Sequence, residues 1–109
     1  MLMPKDRLQG TLDLLVLQTL ARGTQHGYGI TCHILAASGQ QLRVEEGSLY
    51  PALRRMESAG LIKADWRRSE NNRRARYYQL TKKGAKLLAE EMRTWEACTA
   101  AVRAFLEFA

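Results

Sequence analysis

The sequence predicts a mainly α chain with one small β-hairpin, and three observations carry that expectation. Apolar residues recur at helical spacing through the N-terminal half, two basic β-rich segments follow, and a long heptad-like stripe closes the chain. With 109 residues, 46% of them apolar, there is material for one modest core, and a second domain would leave neither with enough. The formal charge is +6 and the pI about 9.7. Most of that basicity is local: Arg54 to Lys86 holds 11 Lys and Arg against three acids, a net +8, and the remainder carries −2. Such a patch favours a polyanionic partner.

The first element is a helix over Leu8, Leu12, Leu14, Leu15, Val16, Leu17 and Leu20, which are apolar on almost every side. A two-layer monomer core needs only one such side, so this helix is expected to meet a second surface. GTQHGYG, with Gly23, Gly27 and Gly29, breaks it and hands over to a second helix at roughly Tyr28 to Ala37, ended by Ser38 and Gly39. QQLRV is a short extended piece.

In EEGSLYPALRRMESAGLI, Leu49, Ala52, Leu53 and Met56 share one helical face, while Gly47, Pro51, Arg54, Arg55 and Ser58 lie opposite. Gly47 and Pro51 are poor helix formers, and both fall on the outward face, where small residues let a backbone approach a partner closely. The expected helix starts at about Glu46, has an irregular or weakly bonded first turn, and stops at Gly60.

Ile62, Ala64 and Trp66 then alternate on one face of KADWRR, with Trp66 expected in the core. RYYQL forms the partner run, and either Tyr77 or Tyr78 must face inward. SENNRRA joins the two through Asn71-Asn72, a pair that tolerates the positive φ of a tight turn. Three helices followed by a basic hairpin describe a winged helix-turn-helix. Thr81 caps the last helix, in which Leu88, Met92, Trp95, Thr99, Val102 and Leu106 recur over about 26 residues, roughly 39 Å. A second copy of the chain is the simplest partner for that stripe.

Other chemistry is excluded or unsupported. Cys32 and Cys98 form no CxxC and have no His at zinc-ligand spacing from both, so idle thiols and no metal are expected. No cluster of Ser, His, Cys or carboxylates suggests catalysis, and no cofactor motif is present. MLMPKDRLQG lacks an apolar core before a small-residue cleavage site, and no run approaches the roughly 18 apolar residues of a membrane span. A cytoplasmic chain with no membrane partner is the expectation.

The runs GTLDLLVLQTLARGTQHGYGI, VEEGSLYPALRRMESAGLI and DWRRSENNRRARYYQLTKKG closely resemble PadR-like transcriptional regulators of the short type, over nearly the whole chain. HGY, SLYPAL, RRMESAGLI and RYYQLT in this order are far more specific than a lone helix-turn-helix pattern. The resemblance implies a homodimeric bacterial repressor on a near-palindromic double-stranded operator, released by a small molecule or other signal. Residues 1–80 would form the winged DNA-binding domain and 81–109 the dimerisation helix. The recognition helix would be Glu46 to Ser58 and the wing about Glu70 to Arg76, with Ser48, Tyr50 and Pro51 at the family's DNA-facing positions. Two departures are Gly29, where an acidic or polar residue usually follows HGY, and Glu45, where Ser is common as a cap.

The expected DNA-contacting set is Gly47, Ser48, Tyr50, Pro51, Arg54, Arg55, Arg73, Arg74 and Arg76. Hydroxyls can bond phosphates or base edges, and guanidiniums neutralise phosphates or read guanine. Competing assignments stand beside these: Tyr50 as a flank packing on the wing, and Arg54 and Arg55 as a solvated face paired with Glu57 or Ser58. Trp95 is either interface core or, with Met92, Leu15 and Val16, the wall of a site for a flat apolar or aromatic effector, as the resemblance to drug-responsive members implies. A protein-interaction module on the same fold is the rival to DNA binding.

Overall fold

The computed structural model describes residues 4–108, with side chains from residue 11 to 108. The first helix, α1, runs Pro4–Arg22. Val16, Leu17 and Leu20 are buried in the core, while Leu12, Leu14 and Leu15 pack at its margin. The Leu8 side chain lies outside the described residues. Buried Thr19 costs nothing in lost hydrogen bonding, because its Oγ1 donates to the Leu15 carbonyl at 2.8 Å.

Between α1 and the next helix lies an element absent from the sequence expectation: β1, Gln25–His26, a two-residue strand. A strand this short has no alternation to reveal it. His26 also caps α2, Gly27–Ala37, through Nδ1, which accepts from the Gly29 N–H at 3.0 Å. Gly29 thus supplies the N–H of this cap, and a Cβ there would collide with the Gln25 side chain. After α2, Gly39 and Gln40 take positive φ, and residues 41–45 pass to the third helix outside the sheet.

The third helix, α3, spans Glu46–Ser58 and buries Leu49, Ala52, Leu53 and Met56, as the spacing predicts. Its first turn is regular, which corrects the expectation: Ser48 and Leu49 N–H groups both donate to the Glu45 carbonyl, at 3.0 and 2.9 Å. Glu45 itself makes no side-chain cap. Pro51 acts one turn later, where its missing N–H leaves the Gly47 carbonyl without the usual donor. At the other end Gly60, with φ 79°, lets the Leu61 N–H reach the Met56 carbonyl at 3.0 Å.

The hairpin strands are β2, Ile62–Arg68, and β3, Arg74–Leu80, and the antiparallel sheet has the order β1-β3-β2. Its turn uses Asn72 at φ 59°, as that residue type allows. Ile62 and Tyr78 are buried, and Tyr77 is half-buried with His26 edge-on to its ring. Trp66 does not join them: it is 56% exposed. The inner face of the hairpin runs beyond the core after Ala64, and Trp66 stands opposite Arg76 with the Arg74 guanidinium 5.2 Å from its ring.

The last helix, α4, is Lys82–Glu107, 26 residues long, and Thr81 caps it by accepting from the Gly84 N–H at 3.0 Å. Its first turns belong to the body. Gly84 is buried because a Cβ would strike the Leu61 carbonyl oxygen, and Leu88 is the last stripe residue in the core. Beyond it the helix projects, which gives extents of 57 × 29 × 23 Å. Met92, Trp95, Val102, Phe105, Leu106 and Phe108 are all exposed on this arm.

Candidate nucleic-acid interface

The outward side of α3 is built from residues that leave its backbone accessible. Nothing lies within 4 Å of a Cβ placed on Gly47, and Ser48, Pro51 and Arg54 are exposed beside it. Pro51 faces away from the core, as the helical phase requires. Tyr50 is held from a side the sequence did not indicate. Its ring lies over the first residue of α2, and a Cβ on buried Gly27 would come within 2.6 Å of the phenol oxygen. The phenol is thus oriented, though 39% of the residue stays exposed.

Between α3 and the hairpin lies an open cleft of about 450 Å³, bordered by Tyr50, Arg54, Glu57, Trp66, Arg76 and Tyr78. Burial, opposed by the nearby Arg76 charge, holds the Tyr78 phenol above its usual pKa, so at neutral pH it is an uncharged group. The cleft therefore combines aromatic faces with guanidiniums, a lining suited to a sugar-phosphate backbone.

The arginines divide into tethered and untethered groups. Arg76 Nη2 donates to Glu57 Oε2 at 2.7 Å, linking the wing to α3. Arg55 donates through both Nη atoms to Asp13, at 2.9 and 2.7 Å, and this pairing raises its pKa further. Arg55 thus points toward α1, and its partner is neither Glu57 nor Ser58. Arg74 lies over Trp66, and Arg68 Nη1 donates to Asn72 Oδ1 at 3.0 Å across the turn. Among the described residues, the guanidiniums of Arg54 and Arg73 have no ion pair or hydrogen bond. Tyr50 and Arg54 therefore share the cleft with Arg76, Arg74 adjoins it through Trp66, and Gly47, Ser48 and Pro51 are exposed on the outward side of α3. Arg73 sits at the hairpin tip, and Arg55 is set apart.

Trp66 is the site residue that the strand pattern misplaced. The register puts Arg76 across from it, and alternation along the strand fixes the face that Trp66 takes without showing where the core beneath that face ends.

A second concave surface lies between α1 and α4. Leu14, Leu15 and Gln18 of α1 and Met92, Trp95 and Glu96 of α4 line an almost wholly apolar recess of about 210 Å³. Val16 is not part of it. Adjacent helical residues point about 100° apart, and Val16 is fully buried in the core while Leu14 occupies the wall. Cys32 is exposed and Cys98 half-buried, both as free thiols. Among the described residues no group of His, Cys, Asp and Glu is placed to hold a metal, and no helix is long and apolar enough to cross a membrane.

Three helices, a basic hairpin closing on a small sheet, and a projecting helix define a winged helix-turn-helix protein. The sequence profile of the transcriptional regulator PadR-like family matches residues 16–90, and the chain belongs to that family. A transcriptional regulator from Clostridium thermocellum has the same fold at 27% identity, with a TM-score of 0.84 over 97% of this chain and 100% of that one. A PadR family regulator from Eggerthella lenta is 34% identical, with a TM-score of 0.79 over 94% of this chain and 88% of its own. A PadR-like regulator from Bacillus cereus is 27% identical, with a TM-score of 0.79 over 94% and 97% of the two chains.

Proposed function

We propose that this regulator is a cytoplasmic homodimeric repressor that binds a near-palindromic double-stranded operator. The observation that carries the reading is the outward face of α3, where Gly47, Ser48, Tyr50, Pro51 and Arg54 stand exposed beside the basic hairpin. In this reading Gly47 and Pro51 let the start of the helix sit close to the base edges. Tyr50 and Ser48 bond phosphates or bases, and Arg54 reads a base or a phosphate. Arg73 and Arg74, with Arg76, hold the flanking backbone or enter the neighbouring minor groove.

The exposed arm of α4 supports the dimer, because Met92, Trp95, Val102 and Leu106 form a stripe too apolar to face water alone. Residues 1–80 serve DNA and residues 81–109 serve dimerisation, although the first turns of α4 also complete the body. Two recognition helices then meet successive major grooves about 34 Å apart. The recess around Trp95, Met92, Leu14 and Leu15 faces the seam and suits a flat apolar effector. A ligand there that favours one crossing angle of the two arms changes the spacing of the recognition helices and releases the operator.

Selection of bound fragments from the source organism's genomic DNA, followed by footprinting, tests the reading. Enrichment of near-palindromic fragments, protected in two patches one or two turns apart, is expected. Absence of any enrichment over a protein-free control contradicts it.

A further inference from the structure

Arg55 lies on the recognition helix of a basic protein, yet both its Nη atoms are committed to Asp13 of α1, at 2.9 and 2.7 Å. A two-pronged pair of this kind fixes the orientation of the guanidinium plane as well as its distance. The Asp13 side chain is only 17% exposed, so water competes weakly for it. Apart from the Glu57–Arg76 pair, which ties α3 to the hairpin, α3 is held on the body through buried Leu49, Ala52, Leu53 and Met56, and apolar contacts resist separation more than rotation about the helix axis. A directional pair supplies what they lack.

Position along α1 gives the pair a second meaning. Asp13 directly precedes Leu14 and Leu15, which border the apolar recess shared with Met92 and Trp95 of α4. The carboxylate that holds α3 and the apolar wall that faces α4 thus belong to the same stretch of α1.

We propose that Asp13 is a positioning residue for DNA binding: it holds Arg55 as a strut that sets the rotation of α3 on α1, and Arg55 does not contact phosphate. The inference rests on the DNA-binding reading above. The opposite role, Asp13 as a competitor that masks a phosphate-binding arginine, predicts effects of opposite sign, so the two separate cleanly. If Asp13 positions α3, removing it weakens operator binding even though the net charge rises. If it competes, removing it strengthens binding to every duplex.

The test is the affinity of the full chain for a genome-selected fragment and for a random duplex across a salt series. Wild type is compared with Asp13→Ala, Asp13→Asn, Arg55→Ala and the exchanged pair Asp13→Arg with Arg55→Asp, after thermal unfolding shows that each variant is folded. The strut predicts that Asp13→Ala and Arg55→Ala each lower operator affinity about tenfold with the salt slope unchanged. Asp13→Asn, which keeps shape and one acceptor, loses less, and the exchanged pair recovers most of the affinity with net charge unaltered. Three results overturn the inference: Asp13→Ala binding both duplexes more tightly, Arg55→Ala flattening the salt slope by about two per dimer, or operator affinity indifferent to Asp13. A wild-type chain that binds no duplex overturns the DNA-binding reading itself; a binding wild type with an indifferent Asp13→Ala variant overturns the strut alone.

Discussion

Two glycines, Gly84 and Gly47, occupy the first turns of their helices for opposite reasons. At Gly84 a Cβ would strike the Leu61 carbonyl oxygen, part of the backbone that α4 must rest on. The gain in helix propensity from alanine is about 1 kcal/mol. Overpacking against rigid backbone costs about 3 kcal/mol, and it wins. Gly84→Ala is expected to be destabilised by about 2 kcal/mol in denaturant unfolding, and an unchanged midpoint would show that α4 can lift away freely. At Gly47 a Cβ meets open space, so Gly47→Ala should gain about 0.5 kcal/mol of stability. On the proposed function the same variant should bind operator DNA less tightly, because its new methyl group would stand where the helix is to approach the groove. Improved stability with unaltered binding would place that face away from the DNA. Trp66, at 56% exposure, belongs with Gly47: Trp66→Ala should alter DNA affinity more than the unfolding midpoint.

At the scale of elements, α4 is half body and half arm. Thr81 accepts from Gly84 N–H and shares its one O–H between the Gly60 and Leu61 carbonyls, at 2.7 and 2.9 Å, so it binds the cap to the turn that follows α3. Thr81→Ala should cost about 1 kcal/mol by unfolding, the usual worth of such a cap. On the arm, Val102→Glu would put a charge into the apolar stripe. It should weaken self-association by about two orders of magnitude in sedimentation, while a variant as dimeric as wild type would remove the stripe from the interface. The helices were legible in the sequence because their apolar faces repeat at 3.6 residues, and Leu49 to Met56 occupy the core as that spacing requires. The two-residue strand β1 was not, since pairing with Tyr77 and Tyr78 is a tertiary event with no local pattern. Trp66 failed for a related reason: alternation tells which face a residue takes, and only the length of the body tells whether that face is covered. In the site, the outward phase of Gly47 and Pro51 was readable from the helix alone. The Arg55 and Arg76 tethers depend on which carboxylates the fold brings near, and Asp13 is 42 residues away in the chain.

For the whole molecule, two distinct surfaces are what make a regulator out of a small fold. A basic face carries α3 and the hairpin, the far half of α4 forms an apolar arm, and α1 packs against both α3 and α4. In the proposed function the basic face binds DNA as one unit, with the hairpin supplying charge and α3 supplying discrimination. This is tested most directly by the salt dependence of affinity for a genome-selected fragment, in wild type and in the Arg73→Ala, Arg74→Ala double variant. A dimer that uses Arg54, Arg73 and Arg74 from both subunits should give a slope of log affinity against log salt of about −5, and the double variant should flatten it by about 3 to 4. It should also weaken binding to selected and random fragments alike, leaving their ratio nearly constant. A slope near zero in wild type, or one that the double variant leaves unchanged, would contradict the account.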